Sequence, residues 1–164
     1  MLRIGHSYDV HRLTKGRQLR LGGLSINSDV ESVAHSDGDV LLHAISESIL
    51  GAMALGDLGT HFPDTADETK NMNSSEILKQ VNAMMQNAQY KINNLDATVY
   101  LEQPKLSSHI KAIREHVASL LGLGVSQISI KATTHEKKGP IGLREAIGAE
   151  CVVLLEHSEY IRKL

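Results

Sequence analysis

Apolar and small residues recur at steps of three and four between Ser36 and Leu55. Val40, Leu41, Ala44, Ile45, Ser48, Ile49 and Ala52 share one face, which predicts a helix over 36–55. Ser36 or Asp37 can cap its start, and Gly56 ends it. Asn73 with Glu76 opens a second helix, to about Gln89. Pro104 precedes a third over about 107–121, stopped by Gly122 and Gly124. Elsewhere the pattern changes to that of strands. Residues 2–12 read as one strand, and 16–24 as a second, closed by Gly22 and Gly23. Residues 91–103 form a strand region broken by Asn93 and Asn94, and 126–134 and 146–157 complete the set. The segment 56–72 is a polar loop, long for a compact domain, and such loops often carry function. Residues 136–145, "EKKGPIGLRE", read as a Gly/Pro loop.

The order β β α α β α β β predicts an α+β or mixed α/β fold. It implies one sheet of four to five strands with helices on one face. The last strand carries Val, Leu and Ala on both parities, which suits a central strand or a subunit interface. With 164 residues and no repeat or linker, a single domain over 1–164 is expected.

Composition narrows the function. There are 17 Lys+Arg against 19 Asp+Glu, so no strong field favours nucleic acid or an acidic membrane. No apolar run approaches the ~20 residues that span a bilayer. Met1 leads directly into "LRIGH" with no signal-peptide pattern, so a cytoplasmic protein is expected. The single cysteine, Cys151, lies in an apolar run and reads as a buried small hydrophobe. There is no Trp and one Phe, so a bound base would not rest on a large aromatic platform. Histidine is plentiful, with nine residues.

Asp9 and His11 stand two apart in "GHSYDVHR", so a strand places both on one face. His43 is a polar residue beside the apolar face of the first helix. Asp plus two His with an open fourth position is a common catalytic zinc set; a buried, satisfied histidine is the plain alternative. "AHSDGDV" puts His35, Ser36, Asp37 and Asp39 at a helix start, where free N–H groups bind phosphate or are simply capped. Asp57, Gly59, Phe62 and Asp64 lie in the long loop, where carboxylates can hold polyol hydroxyls. Thr133, Thr134, Glu136 and Lys137 cluster at a strand end, suited to phosphate oxygens and a hard cation. Pro104 and Lys105 join a rigid turn to a point charge ahead of a helix.

The stretches "RIGHSYDVHRL", "AHSDGDVLLHAISESILGAMALGDLGTHFPDT", "PKLSSHI" and "IKATTHEKKG" occur together and in order. In them the chain resembles the 2-C-methyl-D-erythritol 2,4-cyclodiphosphate synthases of the non-mevalonate isoprenoid pathway. The resemblance implies a homotrimer with sheets facing the three-fold axis and active sites between subunits. It implies a metal-dependent lyase acting on a cytidine diphosphate substrate, whose 2-phosphate attacks the β-phosphate and expels CMP. It assigns Asp9, His11 and His43 to Zn²⁺. A second cation, Mg²⁺ or Mn²⁺, would sit near Glu136. His35 and Thr134 match transition-state-stabilising positions. Asp57, Gly59, Phe62 and Asp64 match the loop that holds the erythritol portion, and Ser36, Leu58, Pro63 and Thr65 join the substrate-binding candidates. Leu101, Glu102, Gln103, Pro104, Lys105, Leu106 and Ser107 match the cytidine and phosphate pocket, and Thr133 and His135 are further substrate-binding candidates.

Two departures stand out. The family's "TTTE" reads "TTHE", with His135 for threonine. The family's Gly-Phe-Thr-Gly-Arg-Gly-Glu-Gly-Ile reads Gly139-Pro140-Ile141-Gly142-Leu143-Arg144-Glu145-Ala146-Ile147, so the arginine moves by one position. Arg144 stays among the substrate-binding candidates, although a one-residue shift on a strand would reverse its face. Two other functions suit the same residues: a metal-dependent phosphoesterase that uses water, and a trimeric phosphometabolite-binding module with a closed structural zinc.

Overall fold

A computed structural model of the chain describes residues 1–34, 36–63 and 72–158. The strands are β1 (Leu2–Lys15), β2 (Gln18–Leu21), β3 (Leu24–Asn27), β4 (Val30–Val33), β5 (Tyr90–Tyr100), β6 (Ile128–Thr133) and β7 (Ala146–His157). The helices are α1 (Val40–Ala52), α2 (Leu58–His61), α3 (Ser74–Asn87), α4 (Ile110–Leu121) and α5 (Gly139–Gly142). Five strands form one mixed sheet in the order β4-β1-β7-β5-β6, and β2 with β3 forms a separate hairpin. β5 and β6 are parallel, joined through α4, and the other pairs are antiparallel. The α+β expectation holds, and β7 is the central strand its two apolar parities suggested.

Three local expectations need correction. Residues 16–24 are not one strand. Gly22 and Gly23 have φ of 60° and 80° and make the two-residue turn between Leu21 and Leu24. Helix α1 starts at Val40, not Ser36, because its N-cap is Asp39. One Asp39 oxygen accepts from Leu42 N (3.0 Å) and Gly22 N (2.9 Å), and the other from Gly23 N (2.6 Å). Ser36 and Asp37 are occupied elsewhere. The helix also ends before Gly56, with Met53 as its C-cap. The two polar loops carry one-turn helices, α2 and α5, that are too short to give a periodic signal. The Asn93–Asn94 break is a β-bulge: the pairing with β7 shifts between Ile92 and Asn94.

The sheet's inner face carries Leu95, Ala97, Val99, Ile147, Ala149, Cys151 and Val153, all buried under α1, α3 and α4. Leu41, Leu42, Ile45, Ile49 and Leu50 of α1 are fully buried, each contributing about 2 kcal/mol relative to exposure. Burial pushes the Cys151 thiol up to about 12, as expected of an inert core cysteine. On the outer face α5 covers one end of β7, with Ile141 packed near Gly148 and Tyr8, and the rest has no covering layer among the described residues. Leu2, Ile4, Tyr8, Val10 and Val152 are exposed there on β1 and β7. His6 lies on this face as well, opposite in parity to Asp9 and His11.

Asp39→Ala removes a helix cap and leaves two hairpin N–H groups without their acceptor. We expect a loss of at least about 3 kcal/mol, read from the urea midpoint. A loss below about 1 kcal/mol would contradict the bridging role.

Candidate active site

β1 delivers Asp9 and His11 to the inner face, and α1 delivers His43 one turn past its cap. Asp9 Oδ2 lies 3.1 Å from His11 Nε2 and 3.3 Å from His43 Nδ1, and the two ring nitrogens are 3.3 Å apart. All three side chains are half-buried, and their ligand atoms can converge on one ion.

The surrounding bonds determine which ring nitrogens carry protons. His11 Nδ1 is 3.1 Å from the Gly38 carbonyl oxygen, which only accepts. Nδ1 therefore holds the proton, and Nε2 turns a lone pair inward. Gly38 has φ +75°, and a Cβ there would stand 2.6 Å from Ser32 Cβ. On His43, Nε2 is 2.9 Å from Ser74 Oγ. That hydroxyl donates to the Asp37 carboxylate, which also accepts from Ser74 N at 3.2 Å. The Ser74 oxygen therefore accepts from His43 Nε2–H, leaving the Nδ1 lone pair facing Asp9. With these tautomers Asp9 Oδ2 faces two lone pairs, and it is buried without a hydrogen bond of its own. The group fits a divalent cation.

A proton is the competing occupant. Burial alone would raise the Asp9 pKa, but with a proton in the site the inward N–H and charge of His11 and His43 hold its carboxyl well below the usual range. Burial alone would lower the His11 pKa, but Asp9 raises it overall.

A cavity of about 440 Å³ opens on this group. Its walls include Ser36, Leu58, Gly59 and Phe62, four of the expected substrate residues. Ser36 Oγ also lies 3.3 Å from His43 Nε2. Asp57 is the N-cap of α2; the Thr60 hydroxyl and amide hold its carboxyl below the ordinary range. Pro63 follows Phe62 at the end of the described loop. His35, Asp64 and Thr65 lie outside the described residues.

The remaining expected residues gather elsewhere. Leu101, Pro104, Lys105, Leu106, Ser107, Thr133 and Thr134 line a second cavity of about 470 Å³, at the ends of β5 and β6. Gln103 joins Pro104 by a cis peptide bond. Glu102 accepts from the His135 N–H at 3.2 Å, and the Thr134 hydroxyl lies 3.3 Å from Glu136. Glu136 and Lys137 have φ of 50° and 59°, in a turn closed by Lys138 N and His135 O. Left-handed backbone at a non-glycine residue costs about 1 kcal/mol. Arg144 lines neither cavity. It sits in the turn before β7 with φ 64° and ion-pairs with Asp29, so the strand-parity argument does not apply to it.

Three residues with clear roles were not singled out as site residues from sequence. Gly38 and Ser74 orient the two histidines, and Glu47 lines the first cavity one helical turn after His43. Only Glu47 had a sequence signal, its i+4 spacing from His43.

A protein named 2-C-methyl-D-erythritol 2,4-cyclodiphosphate synthase, from Fusobacterium nucleatum, is 46% identical over 95% of this chain and 98% of its own. The IspF of Plasmodium falciparum, solved as a CDP complex, is 37% identical with a TM-score of 0.84, over 95% of this chain and 96% of that one. The bifunctional IspDF of Campylobacter jejuni is 38% identical with a TM-score of 0.91; it matches 96% of this chain, which spans 42% of that longer one. The family model described as the YgbB family matches residues 2–156, and the chain belongs to that family.

Proposed function

We propose that this protein is a 2-C-methyl-D-erythritol 2,4-cyclodiphosphate synthase of the cytoplasm. Its substrate is 4-diphosphocytidyl-2-C-methyl-D-erythritol 2-phosphate. An oxygen of the 2-phosphate bonds to the β-phosphorus, the bond from that phosphorus to the bridging oxygen breaks, and CMP leaves with that oxygen. The observation that carries this reading is the three-ligand group Asp9, His11 and His43, opening on a cavity that Leu58, Gly59 and Phe62 also line.

Zn²⁺ suits the group. A tetrahedral ion with ligands at about 2.0–2.1 Å separates them by about 3.3 Å. The three separations here are 3.1, 3.3 and 3.3 Å. Two imidazoles and one carboxylate favour a transition metal over Mg²⁺. Among the described residues no fourth protein ligand joins the group, which favours an open catalytic position over a closed structural one. Bound zinc would supply positive charge that offsets the repulsion between two phosphates brought together. A second cation, Mg²⁺ or Mn²⁺, suits Glu136 through the substrate phosphates.

The chain's own residues supply the positioning. Ser36, Asp57, Leu58, Gly59, Phe62, Pro63, Asp64 and Thr65 hold the erythritol portion. Leu101 to Ser107 take the cytidine, with Lys105 placing a charge beside the diphosphate. Thr133, Thr134 and His135 offer donors to phosphate oxygens, and His35 and Thr134 act on the charge developing at phosphorus. The nucleophile is already an anion, so alignment and charge matter more than a general base.

A homotrimer with shared sites fits the same layout. β1 and β6 are three strand spacings apart, about 14 Å, so the metal cavity and the Lys105 cavity do not merge within one chain. The exposed Leu2, Ile4, Tyr8, Val10 and Val152 offer an apolar face for other subunits around a three-fold axis.

Purified protein with zinc and Mg²⁺ or Mn²⁺ should convert the substrate to CMP and the cyclic diphosphate. Linear hydrolysis products, or no CMP, would overturn the assignment. His43→Ala should lose most bound zinc by elemental analysis and at least about 100-fold in rate, with the circular dichroism spectrum kept. Zinc affinity should fall as pH drops through the raised His11 pKa, by about tenfold per unit for the one proton displaced. The fall should begin above the ordinary histidine value of 6.5, and isothermal titration across pH checks it.

A further inference from the structure

Glu47 stands in the metal cavity but reaches none of the three ligand residues with a hydrogen bond. Its two oxygens are used in different directions. Oε2 accepts from the Ser7 hydroxyl of β1 at 2.8 Å. Oε1 accepts from Leu58 N, the first residue of α2, at 3.4 Å. One carboxylate on α1 therefore joins the strand that bears Asp9 and His11 to the loop that contributes Leu58, Gly59 and Phe62 to the cavity. His43 lies one turn earlier on the same helix, so Glu47 also shares the metal's frame. The Leu58 amide belongs to the first turn of α2, where no intrahelical carbonyl is available to it. Ser7 is buried, and Glu47 gives its hydroxyl an acceptor.

We propose that Glu47 is a positioning residue that docks the 57–62 loop against α1 and β1 and so keeps the sugar-binding half of the cavity formed before substrate arrives. This rests on the cyclodiphosphate synthase reading for its kinetic consequence. The loop would hold a part of the substrate that does not change bonding, so its contacts are made equally before and during phosphoryl transfer. Removing such contacts raises KM and leaves kcat.

Glu47→Ala should raise KM about tenfold with kcat within about threefold of wild type, while zinc content stays unchanged. Glu47→Gln keeps an acceptor for Leu58 N and a donor to the Ser7 oxygen, so its KM should stay within about twofold of wild type. Hydrogen exchange by mass spectrometry gives a readout free of activity: residues 56–62 should exchange faster in Glu47→Ala and at the wild-type rate in Glu47→Gln. A large fall in kcat at unchanged KM, or a Gln variant as impaired as Ala, would overturn the proposal. So would unchanged exchange in Glu47→Ala. If the wild type released no CMP, the synthase reading would fall, and the exchange measurement would still decide whether Glu47 docks the loop.

Discussion

Asp9, His11 and His43 bring three electron-pair donors within 3.3 Å of one another, and such a group is repulsive unless positive charge sits among them. A buried carboxylate oxygen without a partner costs several kcal/mol, so the fold must hold this arrangement against its own tendency to open. The means are all neighbouring backbone and short side chains. Gly38 offers a carbonyl to His11, and Ser74 and Asp37 settle the proton on His43. Asp39 ties the start of the His43 helix to the β2–β3 turn. Because both histidines have given their one N–H away, the site is ordered for a cation before any cation arrives.

The part of this that the sequence shows depends on spacing. Asp9 and His11 alternate with Tyr8 and Val10 along a strand, so their shared face was legible, as was the exclusion of His6 from it. The final strand's double parity was legible for the same reason and reports its central place. The helix start was not, because Ser36, Asp37 and Asp39 are all good caps by local preference. What selects Asp39 is a pair of N–H groups from Gly22 and Gly23, more than fifteen residues earlier and in contact only through the tertiary fold. Ser74 was hidden in a similar way: beside Asn73 and Glu76 it reads as a helix entry, and its second contact lies thirty-one residues back. Leu24 and Ile26 continue the alternation of Leu19 and Leu21 beyond the glycine pair, and that was the overlooked sign of a hairpin.

The expected site residues form two groups on this chain, not one. The Asp9, His11 and His43 group and the short loop after α1 make the first. The Pro104–Ser107 turn and the threonines at the end of β6 make the second, across β7 and β5. Motif order alone cannot reveal this division, because adjacency in sequence says nothing about which cavity a segment faces. His135 and Glu102 brace the second group by a backbone contact, and the Tyr100 ring meets the His135 ring edge-on at 5.4 Å. That contact gives the histidine found in place of a threonine a structural role on the sheet side of the turn. Arg144, also displaced from the family pattern, is engaged with Asp29 at the opposite edge of the sheet.

The division between the two cavities has a genetic meaning. Under the shared-site reading, each catalytic unit draws its metal wall from one subunit and its nucleotide wall from the next. A chain damaged only at His43 and another damaged only at Lys105 would then carry complementary lesions. Co-assembled, they would rebuild intact junctions that neither forms by itself, and the two alleles would rescue each other in one cell.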